Sequence, residues 1–210
     1  MMSNPDHKFI PDLDESILHP NPIMQFKMWF DQALAAKLPH ADAMTVATAT
    51  KDGRPSARVV LLKLVDDRGL VFFTNYKSRK GGELSANPRA ALVSYWPEFN
   101  RQVRVEGTVS QLSADESDAY FATRPRDSQL SSLTSAQSET IASRGELDRH
   151  FEKLKQQYEG KSIPRPSHWG GYRVHADRIE FWQSRFARLN DRILYTRQPS
   201  GSWTTTRLQP

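Results

Sequence analysis

Apolar residues along this chain fall into short blocks with two different periods. Residues 58–80, RVVLLKLVDDRGLVFFTNYKSRK, hold two dense apolar runs at 59–64 and 70–73, joined by Asp66-Asp67-Arg68-Gly69. β-Branched and aromatic side chains suit a pleated, buried surface, and glycine supplies the positive φ of a tight turn. The pattern therefore predicts two buried strands and a hairpin. Upstream, Ile23, Phe26, Phe30, Ala33 and Leu34 recur at helical spacing behind Asn21-Pro22, an N-cap with proline at the first helical position. A packing helix reaching about Leu38 follows. Residues 43–50, small and β-branched, predict a strand that Lys51-Asp52-Gly53-Arg54 turns back toward the central pair. Ser78 predicts the N-cap of a helix ending near Ala86.

Further on, residues 89–96 read as a strand and 102–112 alternate polar with apolar, as a half-exposed strand does. Ser113 with Glu116, and Ser143 with Glu146, have the spacing of capping boxes. The first predicts a helix to about Thr123, because Pro125 disfavours helical geometry at Arg124. The second predicts a helix whose Leu147, Phe151, Leu154 and Tyr158 form a buried stripe. Between them, RPRDSQ (124–129) reads as a non-helical turn: either a solvated loop with a local Arg126–Asp127 pair or an anion-binding one. Strands are expected at 172–175, 179–183, 192–196 and 203–208. Short turns between strands imply an antiparallel sheet or barrel. The first 20 residues, polar and proline-containing, read as a mobile arm, and 21–210 as one domain.

Composition narrows the chemistry. The 210-residue chain has no cysteine, which removes disulfides, thiolate metal sites and cysteine nucleophiles and suits a cytoplasmic protein. No apolar run approaches the ~18 residues of a membrane span, and residues 1–15 lack the apolar stretch of a secretory signal. A net charge of +5 points to anionic partners. The cations form no long tract or repeating stripe, which favours phosphorylated small molecules over nucleic acid. The histidines (7, 19, 40, 150, 168 and 175) share no ligand spacing, so no metal site is expected. Nucleophile-elbow, Walker and dinucleotide-binding glycine motifs are missing.

Two places stand out as candidate chemistry. Lys63 lies inside VVLLKLV, where a lysine is costly unless an anion meets it or its stem covers apolar surface while the ammonium reaches water. Ser78-Arg79-Lys80 puts two cations beside the free N–H groups of a helix start, a natural phosphate seat. Trp182, near Arg185, Arg188 and Arg192, is suited to stacking on a planar ligand or to ordinary core. Many phosphate-competent cations, several aromatics and no protein nucleophile together suggest that a cofactor carries the reaction.

The pieces RVVLLK (58–63), FFTNYKSRK (72–80), RQVRVEG (101–107), YFATRPRDSQ (120–129), QS (137–138), WGGYRV (169–174), IEFWQ (179–183), RLNDR (188–192) and the terminal RLQP occur in one order. In that order the chain resembles the pyridoxamine 5′-phosphate oxidase family, FMN-dependent enzymes of vitamin B6 salvage. The resemblance implies a mainly antiparallel split β-barrel with peripheral helices, a homodimer with two FMN sites at the subunit interface. It assigns Arg58, Arg79, Lys80, Gln137 and Ser138 to the phosphate end of FMN. Lys63, Phe73, Thr74, Gln102, Trp182 and Arg192 would surround its ribityl chain and ring. Lys63, Tyr120, Arg124 and Ser128 would take the substrate phosphate, and Arg188 with Asn190 would lie over the substrate's pyridine ring as the catalytic pair.

The implied reaction oxidises pyridoxine or pyridoxamine 5′-phosphate to pyridoxal 5′-phosphate with O₂, releasing hydrogen peroxide, and ammonia from the amine. Rival readings are a related split-barrel flavin oxidase acting on another compound, such as a phenazine precursor, and a flavin- or nucleic-acid-binding protein without turnover. The chain departs from the family's pattern at Phe73, where tyrosine is frequent, and at Asn190, where histidine is typical. Arg58 and Lys63 are also an odd number of residues apart. A regular strand would point them to opposite faces, so a shared site requires a twist or bulge, or service to different sites of a dimer.

Overall fold

The computed structural model of the chain describes residues 13–210. The first helix, α1 (Pro22–Ala35), starts where its cap predicts, with the Asn21 side chain accepting from the Ile23 N–H. It stops short of Leu38 because Lys37 turns left-handed at φ 53°. Phe26 and Trp29 are buried on its inner face, and Trp29 meets Phe181 edge-on at 5.1 Å. Burying aromatics of this size contributes roughly 1.5–3 kcal/mol each, enough to fix the helix on the barrel.

The first four strands are β1 (Ala43–Ala49), β2 (Pro55–Asp66), β3 (Gly69–Asn75) and β4 (Arg89–Trp96). Helix α2 (Arg79–Ala86) lies between β3 and β4, and β5 (Arg101–Gln111) follows β4. Helices α3 (Ala114–Thr123), α4 (Arg126–Thr134) and α5 (Arg144–Gln157) come next, before β6 (Trp169–Gln183), β7 (Asp191–Arg197) and β8 (Trp203–Arg207). All pairings are antiparallel in the order β3-β2-β1-β4-β5-β6-β7-β8, and a further β3–β6 pairing closes the first six into a barrel. β7 and β8 extend the sheet beyond β6. Alternate residues of β1, β4 and β5 enter the core, while β3 is buried along almost its whole length. Gly69 opens β3 at φ 134°, and a Cβ there would meet the Val174 carbonyl oxygen at 2.1 Å.

Several expectations need correcting. RPRDSQ is not a non-helical turn: Pro125 precedes α4, and Arg126 donates to the Tyr158 and Lys161 carbonyls rather than pairing with Asp127. The stripe on α5 is half-buried, packing Phe151, Leu154 and Tyr158 on a small second core around Phe121, Leu130, Ile163 and Trp169. The two strands expected at 172–183 are one strand, β6. It bulges at Asp177, opposite the Glu106–Gly107 step, where a Cβ on Gly107 would meet the His175 carbonyl oxygen at 2.0 Å.

Of the expected arm, residues 1–12 lie outside the described residues. Leu13 and Leu18 are buried, the Leu13 carbonyl accepts from Arg207, and the His19 carbonyl accepts from the Tyr195 hydroxyl. This part of the arm is packed on the barrel. Among the described residues no helix is long and apolar enough to cross a membrane.

Candidate active site

Strands β2 and β3 and helices α2, α3 and α4 enclose a cavity of about 600 Å³. Its lining includes Arg58, Lys63, Phe73, Thr74, Lys80, Tyr120, Arg124, Ser128 and Gln137, residues that are far apart in sequence. The parity difficulty between Arg58 and Lys63 is resolved by a bulge. Leu62 faces Phe72 and Leu64 faces Val71, leaving Lys63 as the extra residue. Lys63 Nζ lies 2.8 Å from Asp42 Oδ2, so an anion does meet this lysine.

Lys80 is the most deeply buried of the cations lining the cavity, at 7% exposure. Its ammonium donates to Thr74 Oγ1 at 2.8 Å, Gln137 Oε1 at 3.0 Å and Ser78 Oγ at 3.4 Å, all uncharged acceptors. Burial, reinforced by the nearby Arg58 charge, pushes the amine down to about 8. Ser78 caps α2 as expected, accepting from the Gly81 N–H. Ser138, at φ 77°, accepts from the Arg79 N–H at 3.1 Å and so lies at the same helix start. Arg79 is not part of the cavity lining, and its side chain donates through Nε to Glu83 at 2.9 Å.

The other wall is aromatic. Phe73 stacks on Tyr120 with centroids 3.8 Å apart, and Trp169 continues the stack at 5.4 Å from Phe73. Arg124 lies over Trp169 at 4.4 Å and donates to Ser132 Oγ at 2.6 Å. Burial lowers the pKa of this guanidinium. Among the described residues neither Lys80 nor Arg124 forms an ion pair, whereas half of the lysines and arginines do. Two desolvated cations without carboxylates, on different elements, suit a cavity that receives phosphate groups.

Gln102, Trp182, Arg192, Arg188 and Asn190 are not in this cavity. Gln102, Trp182 and Arg192 stand directly opposite one another on β5, β6 and β7, forming a cross-strand row on the outer face of the sheet. Arg192 is held by Glu180, with Nε–Oε1 at 2.8 Å and Nη2–Oε2 at 3.2 Å, which raises its pKa. Arg188 is exposed in a short turn where Ala187 and Arg188 both have positive φ, 54° and 63°. Asn190 Oδ1 accepts from the Arg185 N–H at 3.0 Å and ties that turn together.

Glu83 and Trp169 were not anticipated as site residues. Glu83 follows Arg79 by four residues, a helical ion-pair spacing legible in the sequence. Trp169 carried no such signal, since its partners Phe73, Tyr120 and Arg124 converge only through the fold.

The barrel carries a cavity between strands and helices, lined by two desolvated cations and an aromatic stack. Residues 30–158 match the family model described as pyridoxamine 5′-phosphate oxidase. Residues 169–210 match that of the pyridoxine 5′-phosphate oxidase C-terminal dimerisation region. The chain is 58% identical to the pyridoxine/pyridoxamine 5′-phosphate oxidase of Rubrobacter xylanophilus, over 94% of this chain and 91% of the relative. For its counterpart in Nostoc sp. the figures are 56%, 94% and 92%. The solved structure of PhzG from Burkholderia lata, in complex with tetrahydrophenazine-1-carboxylic acid, superposes with a TM-score of 0.89 at 34% identity, covering 96% of this chain and 99% of that one. The chain belongs to the pyridoxine/pyridoxamine 5′-phosphate oxidase family, and it is an oxidoreductase.

Proposed function

We propose that the chain is an FMN-dependent homodimer that oxidises pyridoxine or pyridoxamine 5′-phosphate to pyridoxal 5′-phosphate. The observation that carries this reading is the pair of unneutralised, desolvated cations, Lys80 and Arg124, lining one cavity. Two phosphates need two seats, one for the cofactor and one for the substrate.

The residues present fit FMN. Lys80, Arg58 and the N-terminus of α2 offer a buried ammonium, a guanidinium and helix N–H groups to a phosphate monoester. Arg79, Gln137 and Ser138 complete that end, while Lys63, Phe73 and Thr74 border the space for the ribityl chain and ring. FMN held there would supply the two-electron oxidation at the substrate C4′, with O₂ as final acceptor and hydrogen peroxide as its product. The chain's own work is orientation. Arg124, Lys63, Tyr120 and Ser128 hold the substrate phosphate, and the aromatic stack keeps water from one side of the cavity.

The row of Gln102, Trp182 and Arg192, with Arg188 and Asn190, serves the cavity of the partner subunit. Tyr95 lies opposite Gln102 and extends the row at 56% exposure, while Val59 on the same face of the sheet is 65% exposed. An apolar face of this kind is suited to burial against a second copy. The similarity to a C-terminal dimerisation region supports the same assembly.

The test is a yellow, dimeric protein that forms peroxide and pyridoxal 5′-phosphate from both vitamers. The structural similarity to PhzG favours one rival, oxidation of a tricyclic carboxylate. Turnover of tetrahydrophenazine-1-carboxylic acid, with none of either vitamer, would establish that rival instead.

A further inference from the structure

Four charged side chains are buried among the described residues: Lys80, Glu83, Arg173 and Glu180. Arg173 is answered by Asp66 and Glu116, and Glu180 by Arg192 and Arg104. Glu83 poses a different problem, because it is a carboxylate placed among the cations of a phosphate seat. Its Oε2 accepts from Thr48 Oγ1 and Ser56 Oγ, each at 2.5 Å, and lies 3.5 Å from Arg58 Nη2. Its Oε1 accepts from Arg79 Nε at 2.9 Å. Burial opposes its ionisation, but the Ser56, Thr48 and Arg79 hydrogen bonds outweigh that and hold the carboxyl at about 2.

Long-range electrostatics alone makes such a carboxylate a liability, since it lowers the positive potential that an anion meets. Its geometry argues for a different effect. Arg58 comes from β2 and Arg79 from the first turn of α2, and the Arg79 side chain is 63% exposed, with solvent on most sides. Among the described residues Glu83 is the one side chain that pairs with both guanidinium groups. Thr48 and Ser56 each donate to Glu83 and accept from Arg58, so strand, helix and carboxylate form one connected network. A donor fixed beforehand loses less freedom when a ligand arrives.

We propose that Glu83 is a positioning residue: it holds Arg58 and Arg79 in place for the cofactor phosphate, and this outweighs its unfavourable charge. The proposal rests on the reading of this seat as the FMN phosphate site.

The test compares wild type with Glu83→Gln, which keeps shape and removes charge, by titrating flavin-free protein with FMN and following fluorescence quenching. Positioning predicts FMN binding weakened about tenfold or more, with the KM for pyridoxine phosphate at saturating FMN within about twofold of wild type. A carboxylate that merely dilutes positive charge predicts the opposite sign, tighter FMN binding, and that result overturns the proposal. A lower melting temperature with unchanged FMN affinity in the folded protein assigns Glu83 to stability alone and also overturns it. Lys80→Ala separates the two levels: if it leaves FMN affinity intact, the seat itself is misread and the proposal falls with it.

Discussion

Lys80 and Arg192 are both cations that the family resemblance assigns to FMN, yet their surroundings differ. Lys80 is buried in a cavity, meets uncharged acceptors and loses affinity for its proton. Arg192 lies on an open sheet face, is gripped by Glu180 and gains affinity for its proton. One chain builds the first region as a receptor with charge held in reserve. In the second region the charge is already paired, and what remains on offer is a rigid, half-apolar surface. A cation kept from carboxylates has its capacity free for a ligand, whereas one locked to a carboxylate provides shape and direction once another surface arrives.

Separating the two phosphate seats gives the largest effects. Lys80→Ala is expected to release FMN, weakening its binding by roughly ten- to a hundredfold. Arg124→Ala should raise the KM for phosphorylated substrate by a similar factor with little change in FMN affinity. Flavin titration and steady-state kinetics check both, and the reverse pattern would exchange the seats.

The same lysine gives a pH dependence. Below about 8 its amine is charged, so FMN affinity should fall as pH rises through that value. The flavin-free fold should respond in the opposite sense. Between about 8 and 10.5 the unfolded chain binds the proton that the native state has lost, so this group makes stability increase with pH. Flavin titrations and denaturant melts across pH read the two trends.

The comparison breaks most directly by mixing chains. Arg188→Ala should cost much of kcat/KM while leaving FMN bound. If its row serves the partner's cavity, Lys80→Ala and Arg188→Ala chains refolded together should regain activity that neither has alone, because one site of each mixed dimer is intact. No recovery would place both regions in one subunit's site.

The smallest effect is expected at Asn190. Its amide carbonyl already secures the turn carrying Arg188, and it cannot titrate. Asn190→His should therefore change kcat/KM modestly or not at all across pH. A wild-type protein inactive on both vitamers and rescued by this change would show that acid–base help, typically about a hundredfold or more, had been lost with the histidine.

The elements of the barrel were legible wherever local and global signals agreed. Ser78, Ser113 and Asn21 cap helices where their spacing says, and the β2–β3 hairpin turns at Gly69. Helix α4 was not legible, because Pro125 argues for a break and only Leu130 and Leu133 mark its inner side. The unity of β6 was hidden by its polar bulge at Asp177. Within the site, Lys63, Lys80 and Arg124 could be selected by residue type and motif. Their different surroundings could not, because these depend on which partners the fold brings near: Asp42 for Lys63, only uncharged acceptors for Lys80.

The β3–β6 pairing has a consequence during translation. Leu70 pairs with Val174 and Phe72 with Tyr172, so β3 must wait for a strand made about a hundred residues later. At ~5–20 residues per second that interval is on the order of 5–20 s, and helices α2 to α5 leave the ribosome within it. Throughout, the nascent chain carries the GLVFFTN segment with one unsatisfied edge, apolar and without charge. Such a strand invites pairing with another chain. Lys77, just past the C-terminal end of β3, places a charge beside that edge and resists such pairing until β6 arrives.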